Sequence, residues 1–174
     1  MNSMKQPTFD PAEHGLSHCT PQIYRKVMGC FPTGVTVMTL GGQGDPKIGV
    51  TVSSFNTVSM EPPLILWSLA LDAPSLEAFR AHDHFAVNIL GKDQQDIALN
   101  FARPAENKFD GVATHLGMTG APLIEGAMAH IECRIVARHA GGDHEIMLGE
   151  VLGLRRNAGD PLVFCGGAFR DLHS

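Results

Sequence analysis

The chain has 174 residues, of which 44% are hydrophobic and 18% charged, with a formal net charge of −5. That is enough for one domain with a full core that needs no disulfide or structural metal. The negative balance and the lack of any Lys or Arg run argue against nucleic acid as a partner. The longest apolar stretch, around Pro62 to Leu71, is far shorter than the about 20 residues a membrane span requires.

Residues 1–20 mix Pro, Gly and polar types without period and read as a flexible N-terminal arm, leaving 21–174 as the domain. The segment PQIYRKVMGCF puts Pro21 at a first helical turn and spaces Ile23, Val27 and Phe31 four apart, predicting a short helix that ends near Gly29. Four runs rich in β-branched and apolar residues follow: Gly34 to Leu40, Ile48 to Phe55, Leu64 to Leu69 and Phe85 to Leu90. Each is bounded by Gly, Pro or Asp and reads as a strand. Between the first two, Gly41 to Pro46 tolerates positive φ and suits a hairpin turn.

A helix is expected to start near Pro74 with Asp72 or Ser75 as cap, and a second over Lys92 to Phe101, where Ile97 and Phe101 stand four apart. Strands return at Ala129 to Arg138, Glu145 to Arg155 and Leu162 to Phe164. Many antiparallel strands with few helices favour a closed β-barrel over a βαβ sheet. No G-x-G-x-x-G stands between a strand and a helix, since Gly42-Gln43-Gly44 runs into Asp45, Pro46 and Lys47, and there is no Walker motif. Any nicotinamide nucleotide must therefore be held without a Rossmann domain.

Side-chain chemistry concentrates in two places. Thr51, Ser53 and Ser54 bring hydroxyls and backbone N–H groups to a strand end, which suits a phosphate or a polyhydroxylated ligand; equally, such serines can bond their own backbone in a turn. The GGDH stretch, Gly141 to His144, precedes a strand, where a lone His is ordinarily a solvated turn residue. His82 with His84, and His139 with His144, offer imidazoles without the third and fourth ligands that zinc requires, so no metal site is expected.

In this order and spacing, FPTGVTVMT, GVTVSSFNTVSMEPP, KFDGV and GGDHEIMLGEV resemble the short-chain flavin reductase family, from about Tyr24 to Arg170. The resemblance implies a mainly β, FMN-binding split β-barrel, antiparallel and Greek-key-like, with a few short flanking helices. It implies hydride transfer from NADH or NADPH to FMN or FAD, and delivery of the reduced flavin by diffusion to a flavin-dependent monooxygenase, often one acting on aromatic compounds. A homodimer is expected, as is a cytoplasmic location, consistent with the scattered Cys19, Cys30, Cys133 and Cys165. The competing reading is a non-catalytic flavin-binding or electron-carrier protein on the same barrel.

Carried over by the resemblance, Pro32, Thr33, Gly34, Thr51, Ser53 and Ser54 become flavin contacts, with Lys47, Ile48, Gly49 and Val50 lining the approach. Ser68, Leu69, Ala70, Pro74 and Ser75 fall where the family places its flavin phosphate, although the Lys or Arg often found at Leu71 to Pro74 is missing. Asn100 and Phe101 come beside the flavin, and Arg103 becomes the nearest cation for a phosphate or diphosphate. His144 takes the catalytic position beside the nicotinamide. Where the family often writes an Arg and a Tyr, Ala168 and Phe169 stand, so Phe169 supplies stacking alone.

Overall fold

The computed structural model describes residues 10–172. The first nine residues of the predicted arm lie outside that range. Of the remainder, Pro11–His14 makes one exposed 3-10 helical turn, capped by the Asp10 carboxylate, which accepts from the Ala12 N–H at 2.9 Å.

Helix α1 (Pro21–Met28) starts as predicted, with Pro21 in the first turn and the Thr20 hydroxyl accepting the Ile23 N–H. Its apolar stripe does not reach the core. No residue of α1 is buried, and Phe31, just beyond it, is 73% exposed.

Next come β1 (Thr33–Gly34), β2 (Thr36–Gly42) and β3 (Asp45–Val52), so Val35 interrupts the first predicted strand. The β2–β3 hairpin turns where expected; Gly41 has φ +81°, and a β carbon there would stand 2.1 Å from the Pro46 carbonyl oxygen. The second predicted strand ends early, at Val52. Ser53 to Phe55 form a bend, after which β4 (Asn56–Met60) and β5 (Pro63–Ala70) make a separate hairpin.

Helix α2 (Leu76–Ala81) leads to β6 (His84–Ile89). Neither predicted cap materialises as a side-chain bond: Ser75 occupies the N-cap position in helical φ/ψ and makes none. The next predicted helix divides into a 3-10 turn, Lys92–Gln94, and α3 (Gln95–Ala102). The small strands β7 (Thr114–Leu116) and β8 (Pro122–Ile124) precede the long hairpin β9 (Ala129–Gly141) and β10 (His144–Arg156). The chain closes with β11 (Val163–Cys165) and β12 (Ala168–Arg170).

The principal sheet is antiparallel, in the order β3-β2-β6-β9-β10-β5-β4. The β5–β6 connection crosses β9 and β10, which gives the Greek-key-like step. No ladder joins β3 to β4, so the barrel is split rather than closed. A second sheet, β1-β11-β12, is separate from it.

Inside the barrel Trp67 meets Phe79 edge-on at 4.9 Å and Phe85 at 5.7 Å, among Met38, Leu40, Val87 and Met147. A second apolar cluster places Phe101 and Ala98 of α3 against Val35, Val37, Leu90 and Leu162. That packing holds α3 against β2, and the Phe101 ring lies over Gly49 of β3. Between them the buried Asn88 donates to the Val37 carbonyl and the Thr39 hydroxyl, each at 3.0 Å, and accepts the Ile124 N–H at 2.7 Å. This network fixes β8 to the sheet with its polar groups paired.

Candidate functional site

β3 and α3 lie together, and the Thr51 hydroxyl of one donates to the Ala98 carbonyl of the other at 2.7 Å. Two cavities are walled by these two elements, and Thr51 and Ala98 both line the smaller. The larger, about 720 Å³, has Lys47, Ile48, Gly49 and Val50 of β3, Asp72 to Ser75 before α2, and the segment from Phe101 through Phe109 in its walls. The smaller, about 410 Å³, has Thr51, Val52 and Ser53, Ala98 and Leu99, and Phe164 with Gly167 to Phe169 in its walls. Ala102 borders both.

Of the predicted site residues, Lys47, Ile48, Gly49, Val50, Pro74, Ser75, Phe101 and Arg103 meet in the larger cavity. Thr51, Ser53 and Phe169 meet in the smaller one, where Phe169 packs edge-on against Phe164 at 5.4 Å. Leu69 is buried in the barrel core, so only its backbone is available. Pro32, Thr33, Gly34, Ser54, Ser68, Leu69, Ala70, Asn100 and His144 line neither cavity.

The expected cluster of hydroxyls disperses. Thr51 bonds α3, Ser53 borders the smaller cavity, and the Ser54 hydroxyl accepts the Ser68 N–H at 2.9 Å while donating to the Ser68 carbonyl at 3.1 Å. The last contact has a geometric cause. Asn56 pairs with Leu66, which puts residue 54 opposite Ser68, but the backbone has already turned away and the side chain makes both ladder bonds instead. No hydrogen bond among the described residues uses the backbone N–H groups of Ser53, Ser54 or Phe55. The buried Thr33 hydroxyl, on β1 opposite Phe164, also has no partner among the described residues.

His144 is the first residue of β10 rather than a turn residue, paired with Ala70 of β5 and Gly141 of β9. Its Nδ1 donates to the Asp143 carboxylate at 2.7 Å, which holds the Asp143 carboxyl below its usual range. The Leu71 N–H donates to the Asp143 carbonyl, one residue before the larger cavity's wall begins at Asp72. His144 therefore lies close to that rim.

Sequence reasoning missed Lys108 and Phe109. Both belong to the quoted KFDGV motif, but their spacing carries no period, and only the fold returns this loop to β3. The Lys108 ammonium donates to the Phe101 carbonyl at 3.1 Å and the Gly49 carbonyl at 3.3 Å, and the Asn100 amide donates to the Lys108 carbonyl. Burial pulls the Lys108 pKa down. Phe109 stacks edge-on with Phe101 at 4.9 Å, and the Lys47 ammonium stands 5.8 Å from its ring centre.

These walls fit a flavin and a nucleotide. Both cavities fall in the size range of cofactor sites, with apolar surfaces for rings in both, a free N–H group at Ser53 in the smaller, and cations for phosphate in the larger. Among the described residues no three His, Cys, Asp or Glu side chains converge in a metal-holding group, and no helix is long and apolar enough to cross a membrane.

A split antiparallel barrel whose clefts offer ring-stacking walls and hydrogen-bond donors is the architecture of a flavoprotein in which the cofactors carry the chemistry. The profile of the flavin reductase like domain matches residues 28–173, and the chain belongs to that family. The FMN reductase (NADH) SmoA of Agrobacterium fabrum is 44% identical over 146 residues, 84% of this chain and 83% of its own. The solved structure of Streptomyces globisporus NADH:FAD oxidoreductase SgcE6, in complex with NAD and FAD fragments, matches with a TM-score of 0.83 and 40% identity over 97% of this chain and 98% of that one. HsaB of Mycobacterium tuberculosis, the reductase subunit of a flavin-dependent monooxygenase, is 37% identical over 131 residues, 75% of this chain and 70% of its own.

Proposed function

We propose that this chain, an NAD(P)H-dependent flavin reductase working with FMN or FAD, supplies reduced flavin by diffusion to a separate flavin-dependent monooxygenase acting on an aromatic compound. The observation that carries the reading is the pair of cavities that adjoin at Ala102, both walled by β3 and α3, room for two cofactors held by one strand and one helix. When both are bound they supply the chemistry, a hydride passing from the nicotinamide ring to the flavin ring.

The protein's part is placement. α3 is packed into the core through Phe101 and Ala98, and β3 is laddered to β2 and bonded to α3 through Thr51, so the walls are rigid and rings between them lose little further freedom on binding. The Ser53 N–H, at the wall of the smaller cavity, is free to donate to ring or ribityl oxygens without giving up a bond inside the fold. His144, oriented by Asp143, holds the nicotinamide end from β10. No acid–base pair is required, because a hydride transfer between two cofactors leaves no proton for a side chain to abstract.

A homodimer accompanies this reading. It is supported by α1, whose Ile23, Tyr24, Val27 and Met28 are exposed and leave an apolar face that no other described residue covers.

The test is loss of the near-ultraviolet absorbance of NADH, then NADPH, with FMN, FAD or no added flavin. Turnover that requires added flavin is the expected result. Tight flavin binding with neither nucleotide oxidised overturns it in favour of an electron-carrier module.

A further inference from the structure

The walls of the larger cavity carry three cations, none of them paired with a carboxylate among the described residues. Lys47, Arg103 and Lys108 all border it, and none has an ion-pair partner among the described residues, although Asp72 and Glu106 share the same walls. Lys47 is engaged by the Thr114 hydroxyl at 3.1 Å and by the Phe109 ring. Arg103 is exposed. Lys108 differs from both, because it is partly buried and its ammonium meets only two carbonyl oxygens, at 3.1 and 3.3 Å.

Two neutral partners leave one of the three ammonium N–H groups over and the charge itself uncompensated. Desolvating a cation is unfavourable unless an opposite charge or a full set of hydrogen bonds offsets it. An anion entering the cavity would supply both. The placement of the carbonyls matters as well. They come from Gly49 on β3 and Phe101 at the end of α3, the two elements that build the walls, so the ammonium is fixed to the cavity rather than free on a long stem.

We propose that Lys108 is the phosphate-binding residue of the larger cavity and that the phosphate is the one on the flavin. This rests on the flavin reductase reading, and moves the phosphate cation from the segment at Leu71 to Pro74, which has none, to the loop after α3. The start of α2 does not compete for that role. It has six residues, and Ser75 makes no capping bond there.

The alternative role for Lys108 is a latch that ties the last turn of α3 to β3, which the same two bonds also describe. Riboflavin separates the two roles, because it has the ring and ribityl chain of FMN without the phosphate. Binding is read from quenching of flavin fluorescence, with no nucleotide and no turnover. The wild-type chain is expected to bind FMN at least about tenfold more tightly than riboflavin, the size of one charge-assisted hydrogen bond. Lys108→Met should bring that ratio close to one while leaving riboflavin affinity in place, and Lys108→Arg should retain much of the preference.

Equal weakening of both flavins in Lys108→Met, or a wild type indifferent to the phosphate, overturns the proposal and leaves the latch. A normal FMN preference in Lys108→Met with a raised KM for NADH also overturns it, assigning the cation to the nucleotide's diphosphate. Should Lys108→Met not fold, the wild type still gives the answer: inorganic phosphate should compete with FMN and not with riboflavin. A chain that shows the FMN preference but oxidises no NADH refutes the reductase reading alone. One that turns over flavin without the preference refutes only the role of Lys108.

Discussion

The Phe101 ring closes directly over Gly49: a β carbon at residue 49 would stand 2.5 Å from ring atom Cε1 and 2.6 Å from Cδ1. Phe101 is fully buried and wedged against Phe109, so the ring cannot swing aside cheaply. Gly49→Ala should therefore destabilise the fold by about 1–3 kcal/mol, the usual range for overpacking, and lower Tm by roughly 2–4 °C per kcal/mol in a chain of this size. Flavin affinity should fall with it, since both residues line the larger cavity. Calorimetry and flavin titration read the two effects. In the double variant Gly49→Ala, Phe101→Leu the penalties should fail to add, and additive losses would mean that the two residues do not meet.

Cys133 predicts an alkaline limit. Burial, with a smaller contribution from the neighbouring Glu132 charge, pushes its thiol from 9.0 up to about 12. The folded thiol keeps its proton where the unfolded one loses it. Its contribution to stability is thus complete below 9.0 and is lost as the pH rises toward about 12. Denaturant titrations at rising pH should show that decline, and Cys133→Ala should flatten it. An unchanged slope in the variant would assign the decline to other groups. Thiol reagents should label the exposed Cys19 and Cys30 in the native protein and reach Cys133 only on unfolding.

The sequence made legible whatever repeats with a period or is forced by a turn residue. The β2–β3 hairpin, the starts of α1, β5 and β6, and the β9–β10 hairpin follow from β-branched runs and from glycine and proline boundaries. What stayed hidden is set by contacts between distant segments. β7, β8 and β12 have three residues each, too few for a pattern, and exist because Asn88, Glu132 and the partner strand β11 hold them: Glu132 accepts the Met118 and Thr119 N–H groups at 3.0 and 2.7 Å. The α1 stripe was legible as a stripe, but periodicity does not say which surface covers it. For the site, the family motifs drew attention to residues of β3 and of the end of α3, which the fold brings together, whereas the separate destinations of Thr51, Ser53 and Ser54 depend on strand register. The role of Lys108 depends on the return of an aperiodic loop to β3.

His144 should matter to the nucleotide and not to the flavin. It lies on β10 next to Ala70, outside the walls of both cavities, and Asp143 fixes its ring through Nδ1. His144→Ala is expected to raise KM for NADH about tenfold, equivalent to one hydrogen bond with its orientation, while flavin affinity changes by less than about twofold. Asp143→Asn should produce a weaker form of the same effect, because it loosens the ring without removing it. Steady-state kinetics at saturating flavin and a separate flavin titration distinguish the two ligands. A matching loss of flavin affinity would place His144 in the flavin site instead.

Helix α1 poses the sharpest question about assembly. Eight residues is below the length at which a helix holds itself in water, and none of these residues is buried against the rest of the described chain. The Thr20 cap and Pro21 fix its start, but a cap contributes only about 1 kcal/mol. Its apolar face, Ile23, Tyr24, Val27 and Met28 with Phe31 beyond, therefore needs a covering surface, and a second copy of the chain is the partner that a homodimer provides. Sedimentation of the wild type should give twice the chain mass at micromolar concentration. Val27→Asp, a charge placed in that face, should shift the mass to one chain and reduce helicity by circular dichroism. A wild type that sediments as a single chain, or a variant that stays paired, would show that this face is covered by something else or that the dimer forms through another surface.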